Sequence, residues 1–177
     1  LNDLLAITQN VPWIRLLYSF PGVITDEFIQ LMKTNDRFLN YLDIPLQHAH
    51  PAILRSMNRP SNIQQTKENL LRLREEIPGI ALRTTFIVGY PGEGETEFQS
   101  LLDFMRDIRF DRVGVFPFSY ESNTPSAPLG DSIPEEVKLE RVDTLMRMQQ
   151  EISLEINQSM IGKTLEVLIE GVDQGEN

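Results

Sequence analysis

Apolar residues along the chain alternate between compact runs and helically spaced stripes. "WIRLLYSF" (13–20) is a short apolar run stopped by Pro21-Gly22, which predicts a strand. "TDEFIQLMK" (25–33) follows as a helix, with Thr25 as its cap and Asp26 and Glu27 facing its positive end. "YLDIPLQ" (41–47) predicts a second strand, interrupted at Pro45, and a short helix runs from Pro51 to Met57. Ser61 and Gln64 form a capping box for a helix over 62–77, with Leu70, Leu73 and Ile77 on one stripe. "IALRTTFIVGY" (80–90) predicts a third strand, and Phe98, Leu101, Leu102, Met105 and Ile108 then repeat at helical spacing. "DRVGVFPFSY" (111–120) is a fourth strand, followed by a Ser, Pro and Gly-rich loop to Ile133. Ser132 and Glu135 predict a capping box for a long helix to about Met160, with Val142, Leu145, Ile152 and Ile156 on one side.

Strands and helices in strict alternation predict an α/β fold with a parallel sheet covered by helices. Right-handed crossovers place all strand C-terminal ends along one edge, where such sheets bind ligands. "GKTLEVLIEGVD" (162–173) breaks the rhythm and alternates like a strand. It is expected to begin another module, so that both ends of the sequence read as boundaries within a longer protein.

Composition narrows the function classes. The chain has 177 residues, enough for one domain with a real core, and a formal net charge of −10. That charge repels phosphate backbones, so no direct nucleic-acid partner is expected. There is no cysteine, hence no disulfide and no thiolate ligand. No apolar run reaches membrane-spanning length and no signal-like N-terminus is visible, so no membrane association and a cytoplasmic location are expected.

Several positions carry candidate chemistry. His48 and His50 are the two histidines, and without a third or any cysteine a metal site is disfavoured; His48 instead fits capping or packing of the next helix. Gln47 stands at a strand end, as a ligand-contacting amide or a surface glutamine. Arg83 lies inside an apolar strand and needs an anion, either a core carboxylate or a ligand carboxylate; Arg15 raises the same question. "GYPGEGE" (89–95) could bring the Gly89 and Gly92 backbone to a ligand, or be a turn into the next helix; it is neither a Walker loop nor a dinucleotide fingerprint. "FSYESNTPSAPL" (118–129) either lines a pocket or simply connects. A hydrolase using Asp43 and Glu93 lacks any visible nucleophile–base pair.

"YLDIPLQH", "LRTTFIVGYPGE", "FDRVGVFPFSYESNTPSA" and "QQEISLEIN", in this order, resemble the radical-SAM methylthiotransferases, most closely their ribosomal-protein branch. The resemblance implies a partial open (β/α) barrel over residues 1–161, with about four parallel strands and covering helices. It implies a truncated small C-terminal β-barrel (TRAM-like) module over 162–177. By the same resemblance, Gln47 contacts the ribose or methionine part of S-adenosylmethionine and Arg83 meets its polar methionine end. Val88, Gly89 and Tyr90 approach the adenosine, and Phe118 and Ser119 lie beside the adenine. No catalytic residue and no metal ligand is carried over, and His48 marks the branch.

The implied reaction methylthiolates the β-carbon of an aspartate in the twelfth small-subunit ribosomal protein, using S-adenosylmethionine and two 4Fe-4S clusters in the full-length enzyme. The rival readings are a tRNA-modifying methylthiotransferase and a non-catalytic protein-interaction domain. Three departures stand out: Gly94 replaces a threonine, Pro117 and Tyr120 are unusual, and the cluster-binding cysteines are missing. No cofactor is therefore expected on this chain alone, and a homodimer through an exposed barrel edge is expected. Reconstitution of the isolated chain with iron and sulfide should yield no 5′-deoxyadenosine from S-adenosylmethionine; its formation would contradict this reading.

Overall fold

The computed structural model describes residues 1–169 and 171. A short helix, α1 (Asn2–Ile7), precedes strand β1 (Ile14–Leu16) and helix α2 (Asp26–Thr34). Strand β2 (Phe38–Asp43), helix α3 (Pro51–Ser56) and helix α4 (Ile63–Glu76) follow. Strand β3 (Ala81–Val88), helix α5 (Glu95–Ile108), strand β4 (Arg112–Pro117) and helix α6 (Glu135–Ser159) come next, and short 3-10 turns lie at Pro21–Val23 and Ala127–Leu129. The four strands form one parallel sheet in the order β1-β2-β3-β4. This is the α/β architecture that the alternating apolar runs predict.

The strands are shorter than their apolar runs. β1 keeps three residues of "WIRLLYSF", and its pairing to β2 slips between Ile14↔Phe38 and Leu16↔Leu42. β2 begins earlier than expected, at Phe38, and stops at Asp43. Pro45 explains the stop, because it has no N–H to give the ladder. The Thr84 hydroxyl bridges the gap: it donates to the Ile44 carbonyl (2.8 Å) and accepts from Leu46 N (3.3 Å). Pairing resumes at Gln47, whose N–H donates to Thr85 O (2.9 Å) and whose carbonyl accepts from Ile87 N (2.8 Å).

Alternation along β3 divides the sheet into two faces. Leu82, Phe86 and Val88 are buried with Leu42 and Ile44 against the apolar stripes of α2, α4 and α5. Phe86 meets Phe110 edge-on, with ring centroids 6.0 Å apart. Arg83, Thr85 and Ile87 stand on the other, half-buried face. The parallel register puts them beside Asp43 on one side and beside Arg112, Gly114 and Phe116 on the other.

The helix starts test the capping rules. Thr25 caps α2 as expected, accepting from Phe28 N at 3.2 Å. Ser61 does not cap α4: Asn62 does, one residue later, through Gln65 N (3.2 Å). Ser132 does not cap α6 either, since the helix starts behind Pro134 with no side-chain cap. Pro134 is itself the N-cap, with extended backbone, and Glu135 and Glu136 complement the helix dipole. At α5, Gly94 supplies no side chain, yet its N–H donates to Glu97 Oε2 (2.9 Å), so half of a capping box survives. Backbone hydrogen bonds from Glu97 and Gly94 hold the Glu97 carboxyl below the usual carboxylate range.

Residues 162–169, expected as a strand, show no sheet pairing, and residues 170 and 172–177 lie outside the described residues. Removal of the Thr25 hydroxyl (Thr25→Ala) should cost about 1 kcal/mol in denaturant unfolding. Ser61→Ala and Ser132→Ala should each stay within about 0.5 kcal/mol of the parent.

Candidate functional site

The chain beyond the C-terminal ends of β2 and β3 meets α6 at one buried carboxylate, Glu93. The turn Tyr90-Pro91-Gly92 folds it back beneath the end of β3, with Glu93 N donating to Tyr90 O (2.9 Å) and Gly92 at φ 91°. Glu93 Oε1 accepts from Gly89 N (3.0 Å) and from Arg141 Nη1 (2.6 Å). The same Arg141 nitrogen donates to the Glu93 carbonyl (3.1 Å). Glu93 Oε2 lies 3.0 Å from His48 Nε2. Glu93, His48 and Arg141 are all buried.

The geometry assigns the His48 tautomer. Its Nδ1 accepts from the backbone N–H of His50 (2.9 Å), so the ring proton sits on Nε2 and is donated to Glu93. Both nitrogens are thereby engaged. His48 has no lone pair to offer a metal in this arrangement, and it steadies the start of α3, as its position predicted. No group of histidines and carboxylates among the described residues is arranged to hold a metal ion. The network is one carboxylate, one guanidinium and one imidazole. Removing either charged partner of such a buried pair costs about 3–5 kcal/mol, because the other is stranded away from water.

A second cation reinforces the same edge. Lys138, one turn before Arg141 on α6, is buried. Its ammonium donates to Phe118 O (3.1 Å) and to Asp131 Oδ2 (2.6 Å). Its stem lies across Gly89, so a Cβ there would fall 2.3 Å from Lys138 Cγ. Gly89 also has φ 74°, a conformation that L side chains rarely adopt. The glycine is thus required by helix packing, and its N–H is committed to Glu93. This corrects the expectation that the Gly89 amide is free to meet a ligand.

The remaining sequence-predicted positions fall into two groups. Gln47 has φ 73°, left-handed for a glutamine and held there by its two bonds to β3. Such a conformation costs about 1–3 kcal/mol and is characteristic of binding sites. Phe118 and Ser119 follow β4, with Phe118 N bonded to Val88 O (2.8 Å) and its ring edge-on to Tyr90 at 5.2 Å. Tyr90 is buried, and its hydroxyl donates to Ser56 O (3.1 Å), which ties α3 to the same edge. Val88 is buried on the helix side. Gln47, Val88, Gly89, Tyr90, Phe118 and Ser119 are therefore brought together.

Arg83 is placed differently. It lies three strand residues, roughly 10 Å, below Phe86, the pairing partner of Gln47. Its Nη1 donates to Asp43 Oδ2 (2.8 Å), so it has the core carboxylate that its burial demands. Asp43 is buried, while the Arg83 side chain stays 37% exposed. Asp43 Oδ1 has no hydrogen-bond partner among the described residues. Only Nη1 of the Arg83 guanidinium has a partner among the described residues, which leaves its other donors open on the half-buried face. Arg15 instead stacks on the Tyr41 ring, 4.7 Å from its centroid. Asp43 and Glu93, the acids of a hydrolase reading, are both paired with arginines.

Comparison with known proteins finds one family model and several named relatives. The family model of the Radical SAM superfamily matches residues 2–105. A protein of Heliobacterium modesticaldum named ribosomal protein uS12 methylthiotransferase RimO is 52% identical over 166 residues, 94% of this chain and 36% of the relative. A relative of the same name from Desulfitobacterium hafniense is 47% identical over 94% of this chain and 37% of its own length. One from Roseiflexus is 44% identical over the whole chain and 38% of the relative. The chain spans a little over one third of the length of these relatives.

Nitrogen-15 NMR of the His48 ring should show the tautomer with its proton on Nε2 and none on Nδ1. The opposite tautomer would break the link to Glu93.

Proposed function

The chain belongs to the Radical SAM superfamily, and we propose that it forms the later part of the catalytic barrel of a ribosomal-protein uS12 methylthiotransferase. The single observation that carries this reading is 52% identity over 94% of the chain to a protein of that name. The substrate is an aspartate of that ribosomal protein, methylthiolated at its β-carbon. The cofactors of the longer enzyme are S-adenosylmethionine and two 4Fe-4S clusters.

The residues of this chain fit one cofactor and not the other. A cluster needs thiolates, and the chain has no cysteine. The ligands of both clusters therefore belong to parts of the longer enzyme outside this sequence. S-adenosylmethionine fits better. Arg83, half exposed and already oriented by Asp43, keeps donors for the carboxylate of the methionine end. The Gln47 amide can both donate to and accept from the ribose or the methionine part. Phe118, steadied by β3 and Lys138, offers an apolar ring beside the adenine, and Ser119 next to it a hydroxyl. Val88, Gly89 and Tyr90 contribute as the scaffold of that edge, with their polar groups largely committed within the protein. S-adenosylmethionine supplies the methyl group and the means of activating the aspartate carbon. The chain's own residues position it and exclude water.

Residues 1–161 are assigned to the barrel and 162–177 to the start of a TRAM-like module, whose apolar Val167, Leu168 and Ile169 are exposed. β1 and β4 are the edge strands of the sheet and present the edges where further barrel strands, or a second copy of the isolated chain, would pair. No described helix is long and apolar enough to cross a membrane. A cytoplasmic location and a protein rather than nucleic-acid substrate complete the reading.

The full-length enzyme, reduced and supplied with S-adenosylmethionine, should add one methylthio group to an aspartate of uS12, detected by mass spectrometry of the tryptic peptide. Modification of tRNA instead would transfer the protein to the rival branch. Arg83→Met should weaken S-adenosylmethionine binding by roughly tenfold or more, as loss of a charge-assisted hydrogen bond implies. An unchanged affinity would leave Arg83 with a structural role alone.

A further inference from the structure

Helix α6 packs on β4 and the apolar core through Leu145, yet its buried stripe carries two cations. Lys138, Arg141, Leu145, Gln149 and Ile152 are the buried residues of the helix, spaced three or four apart. An ordinary sheet-covering helix would put apolar side chains at all five positions. Gln149 has a clear structural duty, donating to Phe110 O (2.9 Å) at the start of β4. Lys138 and Arg141 point their charges to the opposite end of the sheet, into the loops that follow β3 and β4.

Each cation is bound to backbone as well as to a carboxylate. Arg141 holds both the side chain and the carbonyl of Glu93, and through Glu93 it fixes Gly89 N and His48. Lys138 holds the Phe118 carbonyl and Asp131, which begin and end the long loop after β4. Apolar residues could cover the sheet as well as these do. They could not fix the position of a carbonyl or of a buried carboxylate. We infer that Lys138 and Arg141 are positioning residues, through which α6 sets the loops after β2, β3 and β4 in the conformation that receives S-adenosylmethionine. The inference rests on the assignment of this edge to S-adenosylmethionine. Neither side chain is assigned a contact with the ligand, so both act through Gln47, Gly89 and Phe118.

The test uses the full-length, cluster-loaded enzyme and three variants: Lys138→Met, Arg141→Met and Arg141→Lys. Lys138→Met keeps an aliphatic stem over Gly89 and removes the tethers to Phe118 and Asp131 together with a longer ion pair to Glu135 (3.6 Å). The readouts are the S-adenosylmethionine dissociation constant by equilibrium dialysis, amide hydrogen exchange over 89–94 and 118–131, and iron content.

Lys138→Met should weaken binding by roughly tenfold or more and speed exchange over 118–131, with iron content and exchange in β3 unchanged. Arg141→Met should likewise weaken binding and speed exchange over 89–94, and Arg141→Lys should recover part of the affinity. If Arg141→Met does not fold, Lys138→Met decides the matter. A folded Lys138→Met enzyme that binds S-adenosylmethionine like the parent overturns the inference alone. A parent enzyme that fails to bind S-adenosylmethionine removes the assignment of the edge, and the inference falls with it.

Discussion

A carboxylate buried beneath the end of a parallel strand must be compensated from all sides, and the arrangement around Glu93 follows from that constraint. Water is excluded there, so each oxygen needs donors supplied by the protein. The donors come from three places distant in sequence: the Gly89 backbone, the His48 ring and the Arg141 guanidinium. Satisfying one side chain therefore fixes the chain after β2, the chain after β3 and the helix that closes the fold. The imidazole tautomer, the glycine at 89 and the cation in the stripe of α6 are consequences of the same requirement. Replacing the network with apolar residues need not reduce stability, since buried ion pairs often contribute little net. What it provides is a fixed geometry at the C-terminal end of the sheet.

The second ion pair, Arg83 with Asp43, works on a different principle. It is joined on one side only: Asp43 is buried, while the guanidinium remains partly open. A fully paired arginine would have no donor for a ligand, and an unpaired one would not be held in place. The Glu93 network is closed and rigidifying, whereas the Arg83 pair is oriented and still available. The division suits a cofactor site in which the protein's share is placement, with the reactive chemistry carried by groups it positions.

Much of the fold was legible because strand and helix periods differ and the sequence obeys them. The apolar runs containing β3 and β4 and the stripe of α5 are plain in the residues. Strand lengths were less so, because an apolar run does not reveal where pairing begins; Pro45 was the one local sign, and it correctly marked the break before Gln47. The capping serines at 61 and 132 misled because Asn62 and Pro134 compete for the same role one or two residues on. That Gln47 and the loops after β3 and β4 share one edge of the sheet was legible from strand-end position. Its organising residues were not. Glu93 lies in a turn-like "PGEGE", where burial of a glutamate is unexpected. Lys138 and Arg141 look like surface charges unless their spacing to Leu145, Gln149 and Ile152 is followed as one stripe. That spacing was the available signal, hidden because an apolar-only count skips three of its five members.

The most direct measurement of the central claim is a double-mutant cycle between Glu93 and Arg141, read as unfolding free energy. Glu93→Gln, Arg141→Met and the double variant would be compared in denaturant with the parent protein. If the two side chains form the closed buried pair described above, each single change strands a partner. The double variant should then be less destabilised than the sum of the singles, by about 2 kcal/mol. Losses that simply add would mean that the two residues stabilise the protein independently, and that Glu93 is not the point on which the ligand end of the sheet is fixed.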